Sequence, residues 1–173
     1  MTIWRNESRV QSKDYILGID PGTTQTAYVL SDVRLGLKPI VFAKEDNEKA
    51  YENIELICIK YKPIIALECI QSFGMPVGLS TFETCYFIGK LMNLFENYKL
   101  EYSRVYRAEE KNFICHNSRA NDATIKQALK DEFGEVGTKK NNGFFYGFHH
   151  DIWSAFAVLY THCLRDGIEY RKE

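Results

Sequence analysis

Three carboxylates stand where the chain could do chemistry. Asp20 follows the apolar run Tyr15 to Ile19 and precedes Pro21 and Gly22, so it lies at a strand end where the chain turns. Taken alone, an aspartate before Pro-Gly reads as an Asx-turn residue. Glu68 interrupts the apolar run IIALECI of residues 64 to 70. An ionised carboxylate taken from water without a partner costs several kcal/mol, so a cation should meet it there unless the strand end is exposed. Asp151 opens an otherwise apolar helix, where the macrodipole favours a carboxylate in any case. Each residue thus has an ordinary structural reading. Three carboxylates at the ends of two strands and a helix can also converge, and hard oxygen ligands without nearby thiolates select Mg²⁺ or Mn²⁺. Two such ions about 4 Å apart suit phosphodiester hydrolysis.

The elements that carry these residues follow from the hydropathy pattern. Tyr15 to Ile19 and Gln25 to Leu30 read as two strands joined by the turn Asp20 to Thr24, and Pro39 to Ala43 reads as a third, giving an antiparallel meander. From Asp46 to Lys60 the positions Ala50, Ile54, Ile57 and Tyr61 keep helical spacing, and Pro63 then opens a run of the kind buried on both sheet faces. Residues 73 to 78, FGMPVG, form a loop, and residues 82 to 98 a long helix. That helix carries two apolar stripes, Cys85, Ile88, Met92, Phe95 and Phe87, Leu91, Leu94, Tyr98, with centres roughly 110° apart. One stripe can face the sheet and the other a partner. Tyr102 to Tyr106 suggests a fifth strand and Glu109 to Cys115 a short helix, while Asn121 caps a helix to Phe133 that Gly134 stops. The basic loop TKKNNG, residues 138 to 143, leads to a last helix from about His150 to Asp166, apolar on most sides and so packed inside.

Composition bounds the remaining possibilities. The 173 residues are 45% hydrophobic and 26% charged, which fits one domain burying about 70% of the surface its unfolded chain exposes. No run approaches the ~18 to 20 apolar residues of a membrane span, and the first residues lack the apolar stretch of a signal peptide, so a cytosolic protein is expected. Five cysteines, Cys58, Cys69, Cys85, Cys115 and Cys163, with no C-x-x-C pair, support neither a disulfide framework nor a zinc ribbon and read mostly as reduced core residues. Lys+Arg 22 against Asp+Glu 23 gives a net charge of -1, which does not advertise nucleic acid. Acidic metal ligands would offset a basic face in that sum.

In this order, ILGIDPGTTQTAYVL, ALE in the fourth strand and DIWSAFAVLYTHC in the last helix resemble the RuvC family of Holliday junction resolvases, in the ribonuclease H-like superfamily. FGMPVG and FETC-x-x-IGK resemble its phage-encoded branch in particular. The resemblance runs from about Tyr15 to Cys163. It implies an α/β ribonuclease H-like fold, with a five-stranded mixed sheet, antiparallel over strands 1 to 3 and parallel over strands 4 and 5, flanked by helices. Residues 14 to 173 would form one nuclease domain behind a flexible extension over residues 1 to 13. The implied activity is metal-dependent endonuclease cleavage of Holliday junctions and other branched DNA, forks and flaps included, leaving 5′-phosphate and 3′-hydroxyl ends. Two Mg²⁺ ions per site are implied, with Mn²⁺ as a substitute, and for a phage-encoded protein the setting is the cytoplasm of a bacterial host.

By position, Asp20 corresponds to the strand 1 aspartate that bridges both metals, Glu68 to the strand 4 glutamate and Asp151 to the first acid of the last helix. Three positions further on, the family has a second acid and this chain has Ser154. The site then rests on three carboxylates, or is completed by His150, His149, water or the Ser154 hydroxyl. A histidine there can be a ligand or a base, because imidazole titrates near neutrality. His116 has no metal-site spacing and His162 reads as a core histidine. Lys111 and Arg119 fall near family positions that contact DNA phosphates, Lys139 and Lys140 lie on the loop into the last helix, and Phe73 and Met75 would wedge or stack at the crossover. Solvated surface charge and core packing compete with those roles. The second stripe of the 82 to 98 helix matches the family's dimer contact, and two symmetric cuts call for a homodimer.

Two other functions compete. GIDPGTTQTA also resembles the first phosphate loop of actin-like and heat-shock ATPases, but that group needs a second domain and a second such loop. The other Asp-Gly, Asp166-Gly167, ends the last helix. A non-catalytic branched-DNA-binding protein, its nuclease lost with the acid at Ser154, is the second alternative.

Overall fold

β1 (Tyr15–Pro21) is the axis of a five-stranded sheet ordered β3-β2-β1-β4-β5, in the computed structural model, which describes residues 13 to 171 except 73 and 75. It pairs antiparallel with β2 (Gln25–Asp32), which pairs antiparallel with β3 (Lys38–Asp46). On its other side β1 runs parallel to β4 (Ile64–Glu68), and β4 parallel to β5 (Tyr102–Val105). The expected mixed sheet is therefore present. β3 is longer than the hydropathy pattern indicated, because its polar end, Lys44 to Asp46, stays paired with Gln25 to Ala27. The expected extension over residues 1 to 13 lies, but for Lys13, outside the described residues.

Alternation along the strands sorts the core into two layers. Leu17, Ile19, Ile65 and Leu67 face α1 (Asn47–Tyr61) and α2 (Leu79–Asn97), packing with Ile54, Leu91 and Phe95. Ile16, Ala66 and Val105 face the opposite way, towards α5 (Ile152–Asp166), which is flanked by α3 (Arg107–Cys115) and α4 (Asp122–Phe133). α5 is buried almost all round, as its composition requires. It lies directly on β1 at Gly18, where a Cβ would stand 2.1 Å from the Ala155 carbonyl oxygen and 2.9 Å from the Leu159 Cβ. Any larger residue at position 18 would push the helix off the strand and carry Asp151 away from Asp20.

The caps agree with the sequence. Asn121 Oδ1 accepts from the Thr124 amide at 2.9 Å and Gly134 follows the end of α4. α2 corrects one expectation. Its second stripe does not face outward, because Phe87, Leu91 and Leu94 are buried within the chain together with Ile88 and Phe95 of the first. The groove between the sheet and α1 takes residues of both stripes, Ile88, Met92 and Phe95 from the first and Phe87, Leu91 and Leu94 from the second. What α2 turns to solvent is Phe82, Cys85, Tyr86 and Gly89. All five cysteines are free, with Cys58, Cys69 and Cys163 buried and Cys85 exposed. Among the described residues no helix is long and apolar enough to cross a membrane.

Candidate active site

Asp20 and Glu68 each lie one residue beyond the paired Ile19 and Leu67 of two parallel strands. They thus sit side by side, on the same face as Gly18 and Ala66, towards α3 and α5. The turn after Asp20 is pinned from three directions. The Gly22 amide donates to the Gln25 carbonyl at 2.9 Å, the Asn47 amide group donates to the carbonyls of Gly22 and Thr23 at 3.1 Å each, and the Thr23 hydroxyl lies 3.3 Å from that of Thr84 on α2. Asp20 and Glu68 line a cavity of about 380 Å³ with Thr23, Cys69, Thr84 and Arg107.

Two residues of this site escaped the sequence reading. Glu110 on α3 is wholly buried, and it accepts an ion-paired hydrogen bond from Arg107 through Oε2 while its Oε1 has no hydrogen-bond partner. Arg107 also pairs with Asp122 at the start of α4. A signal was present: Glu110 shares a helix face with Ile114, so a helical reading of Arg107 to Cys115 places a carboxylate among apolar residues, as at Glu68.

The carboxylates crowd one another. Burial, then Glu68 and Asp151, push the Asp20 pKa from 3.8 up to about 9, with Arg107 opposing. Burial, then Glu110, push Glu68 up to about 7, and burial pushes Glu110 up to about 7 against the pull of Arg107. One guanidinium is too little positive charge for this cluster. Hard carboxylate oxygens, one of them buried without a donor, fit a divalent ion. The Cys69 thiol beside them is no rival ligand, since burial raises its pKa to about 11.

Asp151 is near enough to act on Asp20 but is turned elsewhere. Its carboxylate makes a 2.6 Å ion pair with Lys44. It lines a second cavity, of about 280 Å³, with His150, Ser154, Lys126, Trp153 and Arg107. Arg107 thus borders both cavities. Among the described residues no three Asp, Glu, His or Cys side chains are grouped so that together they could hold a metal ion as they stand. His150 is exposed with φ 45°, and His149 Nδ1 lies 3.0 Å from the Gly147 carbonyl oxygen. His162 is buried on α5 with its Nδ1 2.5 Å from Asp166, in keeping with a core histidine.

The four basic residues expected on DNA stand outside both cavities. Lys111 is half-buried on α3 and Arg119 exposed between α3 and α4. Lys139 and Lys140 are exposed at the tip of a tight loop that the reciprocal Thr138 and Asn141 backbone bonds, 2.9 and 3.1 Å, hold closed. Phe73 and Met75 lie outside the described residues.

A three-strand antiparallel meander continued by two parallel strands, with acids at the ends of the first and fourth strands and at the start of the last helix, defines the ribonuclease H-like fold in its RuvC form. RuvC of Thermus thermophilus superposes with a TM-score of 0.68 at 16% identity, over 90% of this chain and 98% of that one. The same protein in complex with a Holliday junction substrate gives 0.69 at 13% identity over the same shares. No family model and no curated protein sequence matches the chain.

Proposed function

We propose that the protein is a homodimeric, Mg²⁺-dependent, structure-selective endonuclease that resolves four-way junctions and cuts forks and flaps by phosphodiester hydrolysis. The observation that carries this reading is the pairing of Asp20 and Glu68 on adjacent parallel strands beside Asp151, in a fold shared with a protein solved on a Holliday junction. Asp20, Glu68 and Asp151 would hold the ions, which when bound polarise the phosphodiester and make water nucleophilic near neutral pH. The chain's part is to keep those oxygens convergent through the pinned turn at Gly22 and the close seat of α5 on Gly18. Lys111, Arg119, Lys139 and Lys140 supply sequence-independent phosphate contacts.

Junction symmetry requires two sites related by a twofold axis. The surface suited to a second copy is the exposed face of α2, where Phe82 is 47% and Tyr86 69% exposed. Gly89 lies on that face with nothing within 4 Å of where its Cβ would be. A glycine inside a helix costs about 1 kcal/mol relative to alanine, a cost that close approach of a partner backbone would offset.

Ser154 and the Lys44–Asp151 ion pair favour a second reading, a branched-DNA-binding protein without nuclease activity. Incubation of the purified protein with synthetic four-way junctions, forks and linear duplex, in Mg²⁺ or EDTA, separates the two. Paired nicks on the junction with Mg²⁺ alone support the enzyme, and selective junction binding without cleavage supports the binding protein.

A further inference from the structure

Glu110 raises a question of cost. It is fully buried on the face of α3 shared with Ile114, where an apolar side chain would be ordinary. Replacing a buried ion pair by apolar residues is often neutral or stabilising, so stability alone does not account for Glu110 and Arg107. What Glu110 does accomplish is to fix a direction. It holds one terminal nitrogen of Arg107, so that the guanidinium is set between the cavity of Asp20 and Glu68 and that of Asp151 and Ser154.

The second holder of Arg107 is of another kind. Asp122 takes the other terminal nitrogen, but its side chain is 88% exposed. An ion pair that open to water is weak and exchangeable. A guanidinium carries five donors in a fork that matches the oxygens of a phosphodiester as well as those of a carboxylate. Nearby, Lys44 is already engaged by Asp151, and the other charges bordering the Asp20 cavity are carboxylates that repel DNA.

We propose that Arg107 is a phosphate-binding residue of this site, aimed by Glu110 and occupied by Asp122 until a DNA backbone phosphate takes Asp122's place. The inference rests on the branched-DNA reading above. It assigns Glu110 the part of a positioning residue and Asp122 that of a carboxylate standing in for the phosphate.

The test is junction binding in EDTA, followed by fluorescence anisotropy of a labelled synthetic four-way junction over a series of salt concentrations. Because Arg107→Gln alone leaves Glu110 buried and unpaired, it is made together with Glu110→Gln and compared with Glu110→Gln alone, with thermal melts confirming that both fold. Loss of Arg107 should weaken binding by roughly tenfold and flatten the slope of log affinity against log salt by about one unit. Asp122→Asn should tighten binding severalfold when Arg107 is present, and by no more than the control Asp131→Asn, a change at another exposed acid of α4, when Arg107 is absent. The proposal is overturned if Asp122→Asn acts equally with and without Arg107, or if removing Arg107 leaves the salt slope unchanged. A wild-type protein that binds junction no better than duplex would instead sink the branched-DNA reading itself.

Discussion

Lys44 and Asp20 stand in one row across the sheet, separated only by Ala27, which pairs with both. The small residue between them leaves Lys44 room to reach the start of α5 and take Asp151 at 2.6 Å. On the proposed metal-site reading, Lys44 would compete with a metal ion for the third carboxylate. Lys44→Gln should raise affinity for Mn²⁺ at least roughly fivefold in a calorimetric titration, since one unit charge a few Å away is worth about 1 kcal/mol even at the dielectric of water. Unchanged affinity would mean that Asp151 does not serve the ion.

Neutral amides bind Mg²⁺ poorly, so Asp20→Asn, Glu68→Gln and Asp151→Asn should each reduce junction cleavage by about 100-fold or more, the equivalent of several kcal/mol of lost charge stabilisation. Junction binding in EDTA should persist in all three, and less repulsion of DNA should tighten it. A mutant that cuts at the wild-type rate removes its residue from the site.

Without a divalent ion the cluster makes stability fall with pH. Asp20 keeps its proton in the fold up to about 9 and loses it near 3.8 when unfolded, owing first to burial and then to Glu68. A raised carboxyl pKa gives stability that is fully present below the unfolded value and is lost as pH rises through the folded one. His162, whose pKa burial lowers from 6.5, works in the opposite sense below that value, so the informative window lies above it. In EDTA, Tm should fall between about pH 7 and 9, and Asp20→Asn should flatten the fall. A wild-type Tm that rises over this range, or a slope that Asp20→Asn leaves untouched, would contradict the crowding of these carboxylates.

The sequence was most informative where one local signal determined one element. The burial of Glu68 was legible because a charge inside an apolar strand is costly without a reason, and α5 because it is apolar on most sides, whereas Asp20 by itself read as a turn residue. The direction of Asp151 was not legible, since it depends on Lys44, which is more than a hundred residues away in the chain and reaches it only through the row formed by β3, β2 and β1. The stripes of α2 misled for a related reason. Two stripes show that two surfaces are covered, and here α1 supplies the second surface that the sequence reading gave to a partner.

Leu91 is fully buried and Leu94 nearly so, so Leu91→Glu or Leu94→Glu should unfold the chain by placing an unpaired charge in the core. Phe82→Glu and Tyr86→Glu lie on exposed positions and should leave Tm within about 1 kcal/mol equivalent of wild type while yielding monomers and unpaired nicks. Sedimentation of the wild-type protein as a monomer at micromolar concentration, with junction present, would reject the dimer.

Ser154 and His150 share the cavity of Asp151. Ser154 lies three residues after Asp151, so the two occupy one face of the helix start, yet a hydroxyl is at most a weak ligand for a hard ion. Ser154→Ala should then retain cleavage within about threefold, and Ser154→Asp should tighten Mn²⁺ binding by adding an anionic oxygen beside Asp151. His150 enters differently. It is exposed and held at φ 45°, a strained backbone for a side-chain-bearing residue, which directs its ring to the rim of that cavity without burying it. If His150 moves a proton during cleavage, His150→Ala and His150→Gly should each lower the rate by about 100-fold, since both remove the imidazole and only the glycine also relieves the backbone at φ 45°. If both variants cleave like wild type, the histidine has no part in the chemistry and the carboxylates act alone.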